Sequence, residues 1–259
     1  MSGQAMVVDV WTSLREPTPL PRRIALDRAW PRPELCLAFD EWLVRQCEQG
    51  GPEYISFWSP RDLFVVVGYG NRVHEEVNVE ACAADGVPIL RRVSGGGTVL
   101  QMPGCLNYSL VLRVPTEGPL ATITGANQFI MQRHAEVLTQ LLGRPVQVKG
   151  ITDLAVDGRK CSGNAQRRYR QVLLFHGVFL LEASIALMER YLRFPSRVPD
   201  YRAGRRHVDF VTNLGLSSEA VKATLREAWQ AASFPVTCQD EELAPFLEKY
   251  TSPEWNFRH

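Results

Sequence analysis

The sequence shows almost no excess of charge of either sign. Its 29 lysines and arginines nearly balance 28 aspartates and glutamates, which leaves a formal net charge of +1. A protein that binds nucleic acid by general electrostatic attraction carries a clear basic excess. The composition therefore argues against nucleic acid as a partner.

Long apolar segments are also missing from the sequence. The longest apolar run covers 172–181 and is interrupted by His176 and Gly177. This run is too short for a transmembrane helix, which needs about 20 apolar residues, and it is typical of a buried strand. Charges and prolines break up residues 11–23, so no signal-peptide core is evident. We expect a cytoplasmic protein without a membrane partner.

Paired cysteine motifs are absent as well. The sequence contains six cysteines but no CxxC pair. Together with the missing export signal, this spacing argues for reduced thiols and against a zinc site. Most of the six are expected to be small core residues: Cys36, Cys47, Cys82, Cys105, Cys161 and Cys238.

The length and composition fit one large domain. The chain has 259 residues, of which 45% are hydrophobic. Surface scaling predicts that folding buries about 73% of the surface of a chain this long, so its core needs no disulfide or metal support. Prolines cluster between Pro17 and Pro33. We expect an irregular leader over 1–33, with room for one strand, and a domain over 34–259.

The hydrophobic pattern predicts both helices and strands. Helical spacing of apolar residues covers 35–47, 78–86, 124–142, 184–193, 218–232 and 240–250. Strand patterns cover 54–58, 63–67, 88–93, 98–101, 106–114, 153–156, 160–162 and 172–181, with 98–101 paired to 106–114 and 153–156 paired to 160–162. Strands outnumber crossovers, so we expect the α/β (α+β) class, with a mixed, largely antiparallel sheet and flanking helices.

A glycine-rich segment is the first candidate for chemistry. Residues 91–98 read Arg-Arg-Val-Ser-Gly-Gly-Gly-Thr. Consecutive glycines let the backbone approach a ligand and point several N–H groups at an anion, and an adjacent arginine can pair with a carboxylate or phosphate. The pattern is neither a Walker loop nor GxGxxG. A glycine-rich hairpin or bulge without a ligand explains these residues equally well.

Lys160 is the second candidate. It lies in a strand pattern among small residues, so its ammonium can project into a pocket and hold a carboxylate or a developing charge. A solvated lysine in a hairpin is the plainer explanation. Its neighbour Cys161 could be a nucleophile, but strand alternation places adjacent side chains on opposite faces. If Lys160 faces the pocket, Cys161 belongs to the core.

Other polar residues have simpler explanations. His176 interrupts an apolar strand and must find a hydrogen-bond partner, which for a buried histidine is usually structural. Two local basic clusters, at 167–170 and 202–207, are typical of a solvated face. Either cluster could instead dock an acidic protein, since steering depends on local potential.

Taken together, in order and spacing, the motifs resemble the catalytic domain of the lipoate–protein ligase A family, in the lipoyl/biotinyl ligase superfamily. The resemblance covers about residues 34–257 and rests on segments 91–99, 107–109 with Gly104, 153–165, 175–177, 211–214 and 255–257. It implies one catalytic domain with a biotin/lipoate ligase-like fold. We expect no C-terminal accessory domain of the kind that the bacterial ligase carries. A separate subunit could supply it.

The resemblance also implies a site. Lys160 would be the catalytic residue, and Asp153 would lie near Mg²⁺ and the phosphates. ATP and the lipoyl-adenylate would contact Arg92, Ser94, Gly95, Gly96, Gly97, Thr98, Val99, Leu100, Asp153, Lys160, Ser162, Gly163 and Ala165. The lipoyl tunnel would be lined by Gly68, Asn107, His176 and Gly177.

In this family, lipoate reacts with Mg-ATP to give lipoyl-AMP, and the lipoyl group then passes to a lysine of an acceptor. The acceptors implied are lipoyl domains of 2-oxoacid dehydrogenase complexes or the glycine cleavage H protein. The loop over 200–210 differs from the lysine- and serine-rich loop expected for the family.

Three alternatives stay open. Cysteine-dependent octanoyl or lipoyl transferases share the scaffold and use no ATP, but residues 144–153 and 194–210, where their nucleophiles lie, hold no cysteine. Only Cys161 could serve such a transferase. A non-catalytic protein that binds lipoate or an acyl carrier would not need the adenylate motifs. A biotin ligase fits the segment 160–163 and the Asn107 region less well.

Overall fold

The structure, a computed structural model, describes residues 22–259. Part of the expected leader, residues 1–21, lies outside the described residues. The remainder of it contains a strand, Arg23–Asp27. Within residues 22–259 the strands are numbered β1 to β11, and they cover Arg23–Asp27, Glu53–Trp58, Phe64–Val67, Ile89–Arg91, Val99–Gln101, Cys105–Arg113, Gln147–Lys149, Asp153–Val156, Arg159–Arg168, Val172–Leu180 and Ala232–Ser233.

The helices of the described residues are numbered α1 to α9. They cover Pro33–Glu48, Val73–Glu76, Val79–Asp85, Ile123–Leu142, Ala186–Tyr191, His207–Phe210, Ser218–Ala228, Asp240–Thr251 and Pro253–Asn256. Short 3-10 turns occupy Pro119–Ala121 and Asp200–Arg202. No helix among residues 22–259 is both long and apolar enough to cross a membrane.

Local signals set several helix ends. The side chain of Asn78 accepts a hydrogen bond from the Ala81 backbone at the start of α3, and Gly86 ends that helix in the left-handed conformation. Thr122 caps α4 in the same way as Asn78, and Gly143 ends it at a φ of 66°. These caps satisfy backbone groups that the helix leaves unpaired.

The larger sheet has eight strands in the order β11-β1-β2-β6-β10-β9-β8-β7. The pairs β11–β1 and β1–β2 are parallel, and the other pairs in this sheet are antiparallel. The expected hairpin around Asp157 and Gly158 is confirmed by the β8–β9 pair. The expected mixed, largely antiparallel sheet with flanking helices is therefore confirmed.

A second sheet of three strands, in the order β4-β3-β5, corrects one prediction. We predicted that 98–101 pairs with 106–114. Instead β5 pairs with β3, whereas β6 lies in the larger sheet between β2 and β10. The turn at Pro103 and Gly104 passes the chain from one sheet to the other. A Cβ on Gly104 would lie 2.2 Å from the Glu182 carbonyl oxygen, so this crossing is too tight for a side chain.

Helices cover both faces of the larger sheet. On one face, α4 and α7 pack over a cluster that includes Leu110, Leu138, Phe175 and Trp229. On the other face, α1 and α8 cover a cluster that includes Leu43. A third cluster lies around the smaller sheet. Residues of both sheets line the candidate site, which opens between them.

Candidate active site

A cavity of about 1280 Å³ opens between the two sheets. Its walls come from the 95–98 loop, from β6, β9 and β10, and from the chain around 150–153 and 195–202. It is large enough for a drug-sized ligand. Of the predicted site residues, those that line it are Arg92, Gly95, Gly96, Gly97, Thr98, Val99, Leu100, Asn107, Asp153, Lys160, Ser162, Gly163, Ala165, His176 and Gly177.

Arg92 shapes the glycine loop from beneath. Its guanidinium donates to the carbonyls of Gly95 and Gly97 at 2.6 and 2.7 Å, and to Ser94 Oγ at 3.1 Å. Burial lowers the pKa of this guanidinium to about 10. We expected Arg92 to contact an adenylate directly. In the structure it donates to the loop carbonyls, and this arrangement holds the loop in a fixed curve.

Arg91 points to the opposite side of β4 and is fully buried. It donates to the carbonyls of Gly68 and Asn71, both at 2.8 Å, and to that of Trp255 at 3.2 Å. The Trp255 indole N–H donates back to the Arg91 carbonyl at 2.8 Å. The two adjacent arginines thus make different contacts. Arg92 holds the glycine loop in its curved conformation, and Arg91 links Trp255 near the end of the chain to strand β4.

Gly68 and Ser94 do not line the cavity, although both were predicted to belong to the site. A Cβ on Gly68 would lie 2.2 Å from the Gly96 carbonyl oxygen, so Gly68 allows the loop to pack closely on β3. Ser94 is 1% exposed. Both residues support the glycine loop from behind rather than facing the cavity.

Ser94 is held by a histidine that is itself held by a carboxylate. His176 Nε2 lies 2.5 Å from Ser94 Oγ, and His176 Nδ1 lies 2.9 Å from Asp40 Oδ2. In the tautomer that donates to Asp40, Nε2 accepts the Ser94 hydroxyl. Serine, histidine and aspartate connected in this order also make up the catalytic triads of hydrolases. Here the buried serine has no access to the cavity, so the chain of contacts fastens the glycine loop to β10 and α1.

Lys160 extends from β9 into the cavity, as predicted. Its Nζ lies 2.6 Å from Asp153 Oδ1, and the lysine and aspartate side chains are 29% and 14% exposed. The tip of the lysine lies over Gly163, where a Cβ would come within 3.1 Å of Nζ. The other Asp153 oxygen accepts from the Tyr201 hydroxyl at 2.8 Å. An ammonium positioned this way can stabilise negative charge on a bound ligand.

Cys161 faces the core. It is fully buried, its thiol donates to the Leu154 carbonyl at 3.3 Å, and burial raises its pKa to about 12. A bulge helps to place it: the consecutive β8 residues Leu154 and Ala155 pair with Ser162 and Lys160, which leaves Cys161 unpaired. A thiol in this setting is protonated and inaccessible, so it is unsuited to nucleophilic attack.

A polar crosslink joins β6, β9 and the turn before β8. Asn164 Oδ1 accepts from the Tyr108 hydroxyl at 2.6 Å, and Asn164 Nδ2 donates to the Thr152 carbonyl at 2.6 Å. The crosslink needs Gly177, because a Cβ there would lie 1.8 Å from Asn164 Oδ1. Gly177 is therefore a place where a side chain crosses a neighbouring strand.

Two further predicted features have structural tasks. The 211–214 segment supports the strand that carries Lys160, since the Thr212 backbone donates to the Lys160 carbonyl at 2.8 Å. Much of the two basic clusters serves the fold rather than a docking surface. Arg167 and Arg168 donate to the backbone carbonyls of Val93 and Leu120, and the buried Arg202 lies over the rings of Phe194 and Phe210.

Three residues of the site were not predicted from the sequence. Asp40 follows Leu37 and precedes Val44 at helical spacing, so a carboxylate on the apolar face of α1 was a usable signal. Asn164 and Tyr201 gave no such signal, because their roles depend on how β10 and the 200–202 turn approach β9. Asn107, which was predicted to line a tunnel, exchanges hydrogen bonds with the Gln101 amide and so joins the two sheets.

A preformed metal centre is absent from the part of the chain that the structure describes, where no three potential ligands cluster. Both Asp153 oxygens are already engaged, by Lys160 and by Tyr201. Magnesium in phosphate-handling sites is commonly held by one or two carboxylates together with the phosphates. A single carboxylate such as Asp153 would fit an ion held mainly by a bound phosphate group rather than by the protein alone.

Comparison with known proteins gives relatives of two kinds. The chain is 30% identical over 203 residues to an Aeropyrum pernix protein named as a lipoate-protein ligase A, covering 77% of this chain and 72% of the relative. It is 29% identical over 235 residues to the octanoyltransferase LipM of Kyrpidia tusciae, covering 78% of this chain and 85% of the relative.

Solved structures show the same fold. A lipoate-protein ligase A crystallised with ATP superposes with a TM-score of 0.74 at 24% identity, over 91% of this chain and 98% of the other. A bipartite lipoate protein ligase from Thermoplasma acidophilum, described with its E2 lipoyl domain, gives a TM-score of 0.75 at 22% identity, over 91% and 96%. The sequence model of one protein family, the lipoyl protein ligase A/B catalytic domain, matches residues 32–230, and the chain belongs to that family.

Proposed function

We propose that this protein is an ATP-dependent lipoate–protein ligase. The observation that carries the proposal is the placement of two neighbours on β9: Lys160 extends into the cavity, and Cys161 is buried in the core. None of the described residues that line the cavity is a cysteine. A covalent thioester route lacks a nucleophile here, whereas charge stabilisation by a lysine requires none.

The proposed chemistry has two steps. A lipoate carboxylate oxygen attacks the α-phosphorus of ATP, forming lipoyl-adenylate and releasing pyrophosphate. The neutral amine of an acceptor lysine then attacks the lipoyl carbonyl, forming an amide and releasing AMP and a proton. Mg²⁺, carried by the nucleotide with Asp153 as the nearby carboxylate, would neutralise phosphate charge.

In both steps Lys160 supports the charge that develops on oxygen, and the walls of the cavity fix the two reactants relative to each other. Backbone N–H groups of the glycine loop provide additional donors for the phosphate. His176, Gly177 and Asn107 line the part of the cavity that we assign to the acyl chain.

We propose lipoyl domains of 2-oxoacid dehydrogenase complexes, or the glycine cleavage H protein, as acceptors. The Thermoplasma acidophilum relative supports this choice, because its structure is described together with an E2 lipoyl domain. The description of that ligase as bipartite also supports a separate accessory subunit for adenylation. We place the reaction in the cytoplasm.

Octanoyl transfer from a carrier protein is the second candidate. The similarity to the octanoyltransferase LipM of Kyrpidia tusciae favours it, since the match covers 85% of that enzyme. The transferase would need a nucleophile that is absent from the described cavity wall. A non-catalytic protein that binds lipoate or an acyl carrier is a third candidate, and it would consume no ATP.

The experiment is intact-mass analysis of an apo lipoyl domain incubated with this protein. With free lipoate, a lipoyl mass gain that requires Mg-ATP is the expected result. Modification by an octanoyl-carrier donor without ATP would make the protein a transferase. Binding of lipoate with no modification from either donor, even with an accessory subunit added, would leave a binding protein.

Lys160→Ala tests the assigned lysine. We expect a normal melting curve and a loss of most lipoate-dependent ATP turnover, because charge stabilisation of this kind is worth about 10²- to 10³-fold in rate. Lys249→Ala is the matched control, since Lys249 Nζ lies 2.6 Å from Glu41 and its side chain is also 29% exposed. Near wild-type turnover by Lys160→Ala would contradict the assignment.

A further inference from the structure

One contact joins Lys160 and Asp153 to a segment outside the family motifs. The 3-10 turn Asp200–Arg202 places Tyr201 against the turn before β8. The Tyr201 hydroxyl donates to Asp153 Oδ2 at 2.8 Å, while Asp153 Oδ1 lies 2.6 Å from Lys160 Nζ. The carboxylate is therefore fixed at both oxygens, one by the lysine and one by the tyrosine.

The backbone around this contact has room for the tyrosine ring. Gly150 has a φ of 55°, and a Cβ there would lie 3.8 Å from Tyr201 Cε1 and 3.4 Å from the Pro199 side chain. The Tyr201 ring also meets the Phe210 ring, at a centroid distance of 5.0 Å. The Phe210 contact limits the positions open to the hydroxyl, and Gly150 leaves the ring room to reach Asp153.

We propose that Tyr201 is a positioning residue that holds Asp153 so that the Lys160 ammonium is presented to the reacting carboxylate and phosphate. This inference rests on the proposed function. Tyr201 does not touch the reacting atoms; it acts through Asp153. With its second oxygen held, the carboxylate cannot turn away from the lysine, and Nζ stays at the cavity wall.

Loss of the hydroxyl alone tests the proposal. Tyr201→Phe keeps the ring beside Phe210 and removes only the donor. Tyr191→Phe is the matched control, because the Tyr191 hydroxyl donates to Asp85 Oδ2 at the same distance, 2.8 Å, outside the site. Both variants lose one tyrosine–carboxylate hydrogen bond, so a general effect of such a loss would appear in both.

The first readout is steady-state kinetics of acyl transfer, in whichever donor assay the wild type is active. For Tyr201→Phe we expect kcat to fall about tenfold with KM nearly unchanged, the result of losing orientation that matters in the transition state. Tyr191→Phe should match the wild type. Unchanged kcat in Tyr201→Phe, or equal losses in both variants, would overturn the proposal.

The second readout does not depend on activity. Peptide mass spectrometry gives the rate at which acetic anhydride acetylates Lys160 in the intact protein. We expect faster acetylation in Tyr201→Phe than in either the wild type or Tyr191→Phe, because the covering carboxylate has lost one anchor. If the wild type transfers no acyl group from any donor, the proposed function fails, and equal acetylation rates in all three proteins would then refute the role of Tyr201.

Discussion

Replacing Gly177 with alanine should destabilise the protein through one neighbouring side chain. The new methyl group would lie 1.8 Å from Asn164 Oδ1 and 2.9 Å from the Gly163 carbonyl oxygen, so the Asn164 amide must leave its place. Overpacking of a well-filled site costs about 1–3 kcal/mol. Losing the hydrogen bonds of Asn164 to Tyr108 and Thr152 costs about 1 kcal/mol each, for a total of about 3–5 kcal/mol.

Thermal melting measures this loss directly. For a domain of this size, the expected destabilisation lowers Tm by about 10 °C. Gly97→Ala is the matched control, because nothing lies within 4 Å of a Cβ at Gly97 and the backbone there needs no positive φ. That variant should melt like the wild type. A Gly177→Ala protein that also melts like the wild type would refute the reasoning.

A double-mutant cycle identifies Asn164 as the cause. In an Asn164→Ala background the obstructing amide is absent, so adding Gly177→Ala should cost about 1 kcal/mol, from the remaining close approach to the Gly163 carbonyl. Additive losses would place the effect in the backbone instead. The cycle therefore separates a clash with a side chain from general strain in β10.

Two further predictions concern buried groups. Cys161→Ala should keep nearly wild-type acyl transfer in the intact-mass assay. It should lose about 1 kcal/mol of unfolding free energy, because alanine leaves a small cavity next to Leu154 in place of the thiol. A loss of transfer would show that the thiol takes part in the reaction. Burial lowers the pKa of His134 to about 3 from an ordinary value of 6.5, so the unfolded chain binds a proton that the folded chain does not across that window. The stability contributed by neutral His134 should therefore fall as the pH decreases from 6.5 towards 3. His134→Gln keeps an acceptor for the Trp229 N–H, and its free energy of unfolding, measured with urea, should depend less on pH over this range. An unchanged pH dependence would contradict this origin.

Most helices and strands could be predicted from the sequence because their signals are local. The Asn78 cap, the glycines at 86 and 143 and the Asp157-Gly158 turn each act within a few residues, and helix α3, helix α4 and the β8–β9 hairpin begin or end at them. The partner of β5 was predicted wrongly because strand pairing depends on distant segments. The residues between the two segments, Pro103 and Gly104, suit a hairpin turn and a passage between sheets equally well.

The candidate site could likewise be predicted only where its signals are local in the sequence. Lys160 and the glycine loop were evident as residue types in a pattern, and both meet at the cavity. The contacts that orient them were not evident, because Asp40 and Tyr201 lie 120 and 41 positions from Lys160 in the sequence. The sequence pattern also could not predict the direction of the Arg92 side chain, because that direction depends on which backbone carbonyls of the folded loop face the guanidinium.

The bulge at Cys161 has a consequence for how this strand could change its chemistry. An ammonium and a thiol stand one residue apart on β9, on opposite sides of the sheet. Sliding β9 by one position along β8 would exchange the two, since the faces of a strand alternate with every residue. Which of the two groups faces the cavity, the Lys160 ammonium or the Cys161 thiol, therefore depends on the register of β9 as well as on the residue types at these positions. A single inserted or deleted residue near the bulge would be sufficient to reverse it.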